Sequence, residues 1–95
     1  MHDITAYALY DTKAEIYDTP LFFLKEEQAK RWFYTLVQKK EGRFEYFKDD
    51  MELHRILKFN VTNGKVFEVK IIKILDGIQI GKEIQNHEKR NDTQV

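Results

Sequence analysis

The side chains best placed for chemistry are the basic residues between positions 53 and 73. Only one acidic residue, Glu68, falls in this stretch, so its net charge is +4. Cations spaced along a hairpin can contact successive phosphates of a nucleic acid. Lys and Arg also alternate with apolar residues on any half-buried strand, so the pattern equally fits a solvated sheet face. The basic residues are Arg55, Lys58, Lys65, Lys70 and Lys73.

Aromatic side chains would supply the second half of a nucleic-acid site, because a base can stack on an aromatic ring. Tyr7, Tyr10 and Tyr17 are the candidates, since a phenol tolerates a half-exposed position. On a predicted helix, Lys30 and Arg31 lie beside the apolar stripe and would add phosphate contacts. The other large aromatics fit a core better, and these are Trp32, Phe33, Phe59 and Phe67.

Catalytic and metal chemistry find little support in the sequence. His2, His54 and His87 are far apart, and the chain contains neither Cys nor Ser. Thiolate metal sites and Ser nucleophiles are therefore excluded. A Tyr nucleophile of the DNA-nicking type needs a metal site rich in His, which this spacing does not provide. The acidic turn 49–52 is typical of a solvated cap, so we expect no enzyme, metal site or cofactor.

Length and composition indicate one small domain. The chain has 95 residues, is 42% hydrophobic and carries 16 basic and 16 acidic side chains. The zero net charge argues against a strongly cationic binder, although a local basic face is still possible. The first residues lack the basic and apolar regions of a signal peptide, and no apolar run approaches the ~18 residues of a membrane span. We expect a soluble intracellular protein with no membrane partner.

The first elements predicted are a hairpin and a helix. Ile4–Tyr10 is apolar on both faces, which favours a central strand, and Glu15–Tyr17 would return antiparallel after a turn at Asp11. Pro20 marks the connection that follows. Apolar residues then recur at helical spacing, which predicts an amphipathic helix over residues 26–40 that Gly42 stops. The stripe consists of Ala29, Trp32, Phe33, Leu36 and Val37.

A second hairpin is predicted around Asn63-Gly64. A two-residue turn would place Phe59 opposite Glu68. A three-residue loop would pair Phe59 with Phe67, Leu57 with Val69 and Lys58 with Glu68, and we prefer this register because it gives one apolar face. A turn of helix is possible near Lys48–Met51, a further strand within 70–80, and a disordered polar tail over 82–95.

Together these elements predict an α+β fold in a single domain, residues 1–81. The sheet would be antiparallel, with about four strands from two hairpins and one amphipathic helix packed on one face.

The order of four segments resembles the small nonstructural protein of the gokushoviruses, which are single-stranded DNA phages of the Microviridae. The first segment is Tyr7–Tyr17 followed by Pro20–Phe23, and the second is Ala29–Phe33 with Leu36-Val37. Asp49–Leu53 resembles the family's acidic-aromatic-polar-Leu step, and Phe59–Gly64 resembles its Phe-Asp-x-x-Thr-Gly turn. The resemblance covers roughly residues 6 to 75.

This resemblance implies a non-enzymatic DNA-binding protein that acts in genome replication or in the switch to packaging. Combined with the basic hairpin, it favours single-stranded DNA, bound without sequence preference. The alternative is a protein-interaction module that docks on replication or capsid machinery or forms a homodimer. The aliphatic segment Ile71–Ile80 is the basis for that alternative, because an exposed strand edge can add a partner's strand.

Overall fold

The computed structural model describes the backbone of residues 3–93 and the side chains of residues 3–87. Within this part of the chain, an antiparallel sheet packs against α-helices, which confirms the α+β class. The sheet has six strands rather than about four. The elements are β1 (Asp3–Asp11), β2 (Ile16–Tyr17), β3 (Leu21–Phe23), α1 (Glu26–Lys39), α2 (Phe44–Phe47), a 3₁₀ turn (Lys48–Asp50), β4 (Met51–Asn60), β5 (Val66–Phe67), β6 (Ile72–Asp76) and α3 (Gly77–Thr93).

Two long strands, β1 and β4, form the centre of the sheet. They pair over their whole lengths, from Asp3 opposite Asn60 to Asp11 opposite Met51. Strands β2 and β3 pair with the other side of β1, and β5 and β6 pair with the other side of β4. The central place predicted for the apolar strand Ile4–Tyr10 is therefore confirmed.

The first hairpin forms as the sequence predicted. Tyr10 lies opposite Tyr17, and the Asp11 carboxylate accepts hydrogen bonds from the backbone N–H groups of Lys13 and Ala14, each at 3.0 Å. This is the local bonding that makes Asp a turn former. After Pro20 the chain pairs with β1 again through β3, a strand that the sequence analysis treated as a connection.

The second hairpin forms, but both registers considered from the sequence are wrong. Phe59 pairs with Val66 and Lys58 with Phe67, and the Asn60 N–H donates to the Lys65 carbonyl oxygen at 2.9 Å, which leaves residues 61–64 as the loop. The Asn60 side chain explains the longer loop, because its Oδ1 accepts the N–H groups of Thr62 at 2.8 Å and Asn63 at 3.2 Å. The expected ion pair between Lys58 and Glu68 still forms, at 3.1 Å.

Helix α1 ends close to its predicted boundary. Its first turn lacks a Ser, Thr, Asp or Asn cap, and instead the Gln28 side chain accepts the Lys25 backbone N–H at 3.1 Å. The left-handed residue at its end is Lys40, with a φ of 56°, and Gly42 follows with a φ of 55°. Ala29, Phe33 and Val37 are buried, so the predicted stripe faces the core.

The core lies between the helices and one face of the sheet. Tyr7 and Leu9 project from β1 toward α1, and Met51 and Leu53 project from β4. The partly buried residues that pack against this core come from β3, α1, β6 and α3. The buried members are Tyr7, Leu9, Ala29, Phe33, Val37, Phe44, Met51, Leu53 and Ile80.

The C-terminal part differs most from the prediction. Residues 82–93, expected to be a disordered tail, belong to helix α3, which crosses the predicted domain boundary at residue 81. Asp76 starts this helix by accepting the Gln79 N–H at 2.7 Å, while Ile80 is buried and Ile84 packs against the core. Ile80 and Ile84 are four residues apart, so they place one apolar side of this otherwise polar helix against the core. Residues 94–95 lie outside the described part of the chain.

No helix among the described residues is long and apolar enough to cross a membrane.

Gly77 is the first residue of α3 and packs against the backbone of Lys48 in the 3₁₀ turn. We predict that replacing Gly77 with Ala destabilises the protein. A Cβ at this position would lie 1.6 Å from the backbone oxygen of Lys48, so backbone must move. Overpacking of this kind typically costs about 1–3 kcal/mol or more. Urea unfolding of Gly77→Ala measures the loss.

Gly81→Ala is the matched control in the same helix. Its Cβ would meet only the mobile end of Lys48, with Nζ at 3.1 Å. Because Ala favours helix over Gly by about 1 kcal/mol, this variant should be as stable as the parent or more stable. Equal losses in both variants would contradict the close approach at Gly77.

Candidate nucleic-acid interface

The two faces of the sheet are covered differently. Residues opposite each other in an antiparallel ladder share a face, so Tyr7 and Leu9 place one face of β1 against the helices. The alternate residues of β1 and their partners belong to the other face, and none of them is part of the described core. We call this the open face. It consists of Ile4, Ala6, Ala8, Tyr10, Tyr17, Phe22, Glu52, His54, Leu57, Phe59, Val66, Lys73 and Asp76.

Small residues form the middle of the open face. Ala6 and Ala8 are 2% and 1% exposed although no helix covers them. They are buried by the larger side chains of the neighbouring strands, because Leu57 and Phe22 lie opposite Ala6 and His54 lies opposite Ala8. The outer surface of the open face is therefore a layer of aromatic and apolar side chains.

One end of the open face carries a phenylalanine pair. The rings of Phe22 and Phe59 are 6.1 Å apart at an angle of 66°, an edge-to-face contact. Phe22 is 50% exposed, as is Val66 opposite Phe59. An exposed ring fixed by a neighbouring ring is a rigid surface on which a nucleic-acid base can stack.

The other end carries a hydrogen-bonded aromatic cluster. The ring centroid of Tyr10 lies 4.4 Å from that of Tyr17 and 5.1 Å from that of His54. His54 Nε2 lies 2.8 Å from Glu52 Oε1, and Nδ1 lies 2.7 Å from the Tyr17 hydroxyl. Since a carboxylate only accepts, Nε2–H donates to Glu52, and in the neutral imidazole Nδ1 accepts from Tyr17.

The Tyr17 hydroxyl is held in its protonated form. Burial raises its pKa above the ordinary value, and the neighbouring Tyr10 and Glu52 raise that pKa further. Tyr17 as a whole residue is 38% exposed. Its hydroxyl group is therefore held by a hydrogen bond, its ring is packed against Tyr10, and part of the residue is accessible.

Three of the predicted basic site residues lie on the helix side of the sheet, where carboxylates neutralise them. Arg55 is 3.4 Å and Lys30 3.9 Å from opposite oxygens of the Glu26 carboxylate. Lys58 pairs with Glu68. Arg55 and Lys58 lie opposite Tyr7 and Thr5 of β1, the face that the helices cover. The structure does not bring them together with Tyr10 and Tyr17.

Tyr7 is not available for stacking. It is 2% exposed, and its hydroxyl donates a hydrogen bond to Glu26 Oε1 at 3.2 Å. Burial and the Glu26 carboxylate raise the pKa of Tyr7 to about 12, although Arg55 acts in the opposite direction. The prediction that Tyr7 contacts a base is wrong, because its alternation with Ala6 and Ala8 points it into the core.

One cation, Lys73 of β6, lies on the open face itself, 3.8 Å from Glu52 and 3.5 Å from Asp76, and three further lysines lie in the loops and at the edge of this face. Lys65 follows the β4–β5 loop, and Lys70 donates its N–H to Ile56 of β4 at 3.1 Å. Lys13 lies in the β1–β2 turn. All three are exposed and form no ion pair with any residue whose side chain is described. Arg31 is exposed on α1, on the helix side.

Sequence reasoning missed three candidate contact residues on the open face and one in its β1–β2 turn: Phe22, His54 and Phe59 on the face, and Lys13 in the turn. Phe59 was assigned to the core, although its position opposite Ile4 places it on the open face. Phe22 was hidden because the strand after Pro20 has only three residues. Once the strand pairing is known, the alternation of side chains along β1 places both phenylalanines on the open face. No local sequence pattern predicts the contact between His54 and Tyr17.

The described chain is thus a small α+β protein whose sheet is covered by helices on one face and lined with aromatic side chains on the other. Residues 4–80 match a family model described as the phage ORF5 protein, so the chain belongs to this family of phage proteins. Searches of curated proteins and of solved structures gave no significant match.

We predict that Tyr7 makes folding stability depend on alkaline pH. Its pKa of about 12 in the folded protein lies above the unfolded value of 10.0, so its contribution is complete below pH 10 and is lost between pH 10 and 12. The free energy of unfolding should fall there by up to ~1.4 kcal/mol per pH unit from this group alone.

Tyr7→Phe removes that titration. Urea unfolding should show the variant weaker by about 1 kcal/mol at neutral pH, because a buried hydrogen bond to a carboxylate is lost. As pH rises from 10 to 12 the difference from the parent should shrink and then change sign, because the parent loses more than the ~1 kcal/mol that the hydrogen bond contributes. Parallel stability curves for the two proteins would contradict the raised pKa.

Proposed function

We propose that this phage protein is a non-enzymatic binder of single-stranded DNA and that DNA contacts the open face. The observation that carries the proposal is a sheet face without a helix over it, lined at both ends by exposed aromatic rings. Base stacking on such rings contributes about 1–3 kcal/mol per base. The gokushovirus resemblance supports the same class of partner and a phage of the Microviridae as the source.

The aromatic surface favours single strands over duplexes. Bases in a duplex stack on each other and expose only their edges, whereas an unpaired strand can place its base faces on Phe22 or Tyr17. Phe22 offers no hydrogen-bonding group with which to distinguish one base from another. Binding is therefore expected to be sequence-nonspecific, which suits the coating or handling of a single-stranded genome in a host cytoplasm, either during replication or at the switch to packaging.

The electrostatic part of binding should be modest. Lys13, Lys65 and Lys70 are available for phosphate contacts, while Lys30, Arg55 and Lys58 are already paired with carboxylates. Three phosphate contacts predict a log–log salt slope of about −2 for a single strand. The +4 charge of residues 53–73 would have suggested a steeper dependence.

A binding experiment with one stacking variant tests the proposal. Fluorescence anisotropy with a labelled oligothymidylate should show binding at low salt, with the shallow slope given above. Phe22→Ala should weaken binding by about 5- to 150-fold, the equivalent of 1–3 kcal/mol for one stacked base. Phe22 is half exposed, so folding should persist, and circular dichroism verifies it.

Tyr46→Ala is the matched control. Tyr46 is 78% exposed and aromatic but belongs to α2, among the helices rather than on the open face. Its loss should leave DNA affinity unchanged. Failure of the parent protein to bind any single strand at low salt would refute the proposed function, and equal losses in both variants would move the interface away from the open face.

The second candidate function is a protein-interaction module, which the exposed edge of β6 favours. In the described sheet β6 pairs only with β4, and Ile71, just before it, is 57% exposed. Such an edge can accept a strand from a second copy or from another phage protein. Ile74 is unsuitable for a test because it packs against the core, so a polar substitution there would disturb folding.

Ile71→Lys tests this second candidate without touching the core. If β6 joins two copies, light scattering should show a dimer for the parent and a monomer for the variant, with DNA affinity unaffected. A monomeric parent protein at high concentration would exclude self-association through this edge.

A further inference from the structure

We infer that the bound DNA strand runs parallel to β1 and that its two stacking contacts, at the phenylalanine pair and at the tyrosine cluster, together span about five nucleotides, the two stacked ones included. This inference rests on the proposed function and deepens it, because it specifies the path and the length of the site. The two aromatic groups occupy opposite ends of one face, and β1 connects them.

The spacing follows from the register of the sheet. Phe22 lies opposite Ala6, and Tyr17 lies opposite Tyr10, four residues further along β1. A strand rises about 3.3 Å per residue, so the two exposed rings are separated by about 13 Å along the strand direction. Stacked nucleotides rise about 3.4 Å each, which makes this distance four steps, or five nucleotides counted inclusively. A more extended strand would cross it with fewer.

The surface between the two groups suits a strand that passes over it. Ala6 and Ala8 are covered by Leu57 and His54, which lie opposite them on β4. No helix of the described chain lies over this part of the sheet. Intermediate nucleotides would therefore rest on a continuous apolar and aromatic layer, without a wall to divert them.

Lysines lie beyond both ends of this path. Lys65 follows the β4–β5 loop. This loop adjoins the start of β1, because Asp3 is opposite Asn60. Lys13 lies two residues beyond the end of β1. Neither lysine has a carboxylate partner among the described side chains, so both can meet phosphates that flank the stacked bases.

The two ends of the open face should contribute unequally to the affinity for DNA. The tyrosine cluster includes Glu52, and Lys73 is paired with both Glu52 and Asp76. Two carboxylates against one lysine make this end of the open face locally acidic. At the phenylalanine end, Lys65 comes directly before β5 and has no carboxylate partner among the described side chains, whereas Glu68 after β5 is paired with Lys58. A short oligonucleotide should therefore occupy the phenylalanine end first, and only a longer one should reach Tyr17.

An oligothymidylate length series from about two to about twelve nucleotides tests the path. For the parent protein, affinity should rise steeply up to about five nucleotides and only slowly beyond. Phe22→Ala should weaken binding at every length. Tyr17→Ala should weaken binding of oligonucleotides longer than about five nucleotides by about fivefold or more, and should leave those of about three nucleotides unchanged.

Two controls separate stacking from other roles of these residues. Tyr17→Phe keeps the ring and loses the hydrogen bond to His54, so its affinities should match those of the parent at all lengths. Lys39→Gln removes an exposed lysine of α1 on the helix side and should have no effect, whereas Lys13→Gln should weaken only the longer oligonucleotides.

The results distinguish the failure of this inference from that of the proposed function. If the parent binds but Tyr17→Ala has no effect at any length, the strand does not follow β1, and single-stranded DNA binding itself stands. If Tyr17→Ala weakens binding equally at every oligonucleotide length, the inferred path along β1 is also wrong. Absence of binding by the parent overturns both.

Discussion

The ladder between β1 and β4 is the contact on which the other elements depend. It joins nine residue pairs, while β2 and β5 have only two residues each and β3 has three. Strands so short have too few hydrogen bonds and too little apolar area to form a sheet alone. Each is attached to β1 or to β4, so the register of the central ladder decides which side chains appear on each face of the whole sheet.

The central strand β1 is buried on both faces by different means. On one face Tyr7 and Leu9 are covered by α1, and the Glu26 carboxylate receives Tyr7 and Arg55 together at the start of that helix. On the other face Ala6 and Ala8 are small enough to be covered by neighbouring strands alone. A second layer of helices is not needed there, which leaves the outer surface of the aromatic layer available to a partner.

Elements governed by local chemistry could be predicted from the sequence, and those governed by distant contacts could not. The Asp11 turn and the apolar stripe of α1 are local, and both were correct. The second hairpin is an exception, because its register depends on a local interaction, the hydrogen bonds of the Asn60 side chain within its own loop, that the sequence analysis did not consider. Helix α3 was missed because Ile80 and Ile84 become apolar anchors only when α1 and β4 lie beside them.

The candidate site shows the same division in its charges. A net charge counted along residues 53–73 treats every cation as available, yet Arg55 and Lys58 face the helix side and have carboxylate partners at 3.4 and 3.1 Å. A pairing residue can come from any part of the chain, as Glu26 does, so composition alone does not locate a basic surface.

Whether a strand position is odd or even is more informative, because it decides on which face of the sheet the side chain lies. Since Tyr7 and Tyr10 are three residues apart on β1, they lie on opposite faces, and only Tyr10 shares a face with Phe22, Phe59 and Tyr17. A ligand of the open face therefore meets aromatic and apolar side chains together with Lys73, a cation that is already paired with Glu52 and Asp76.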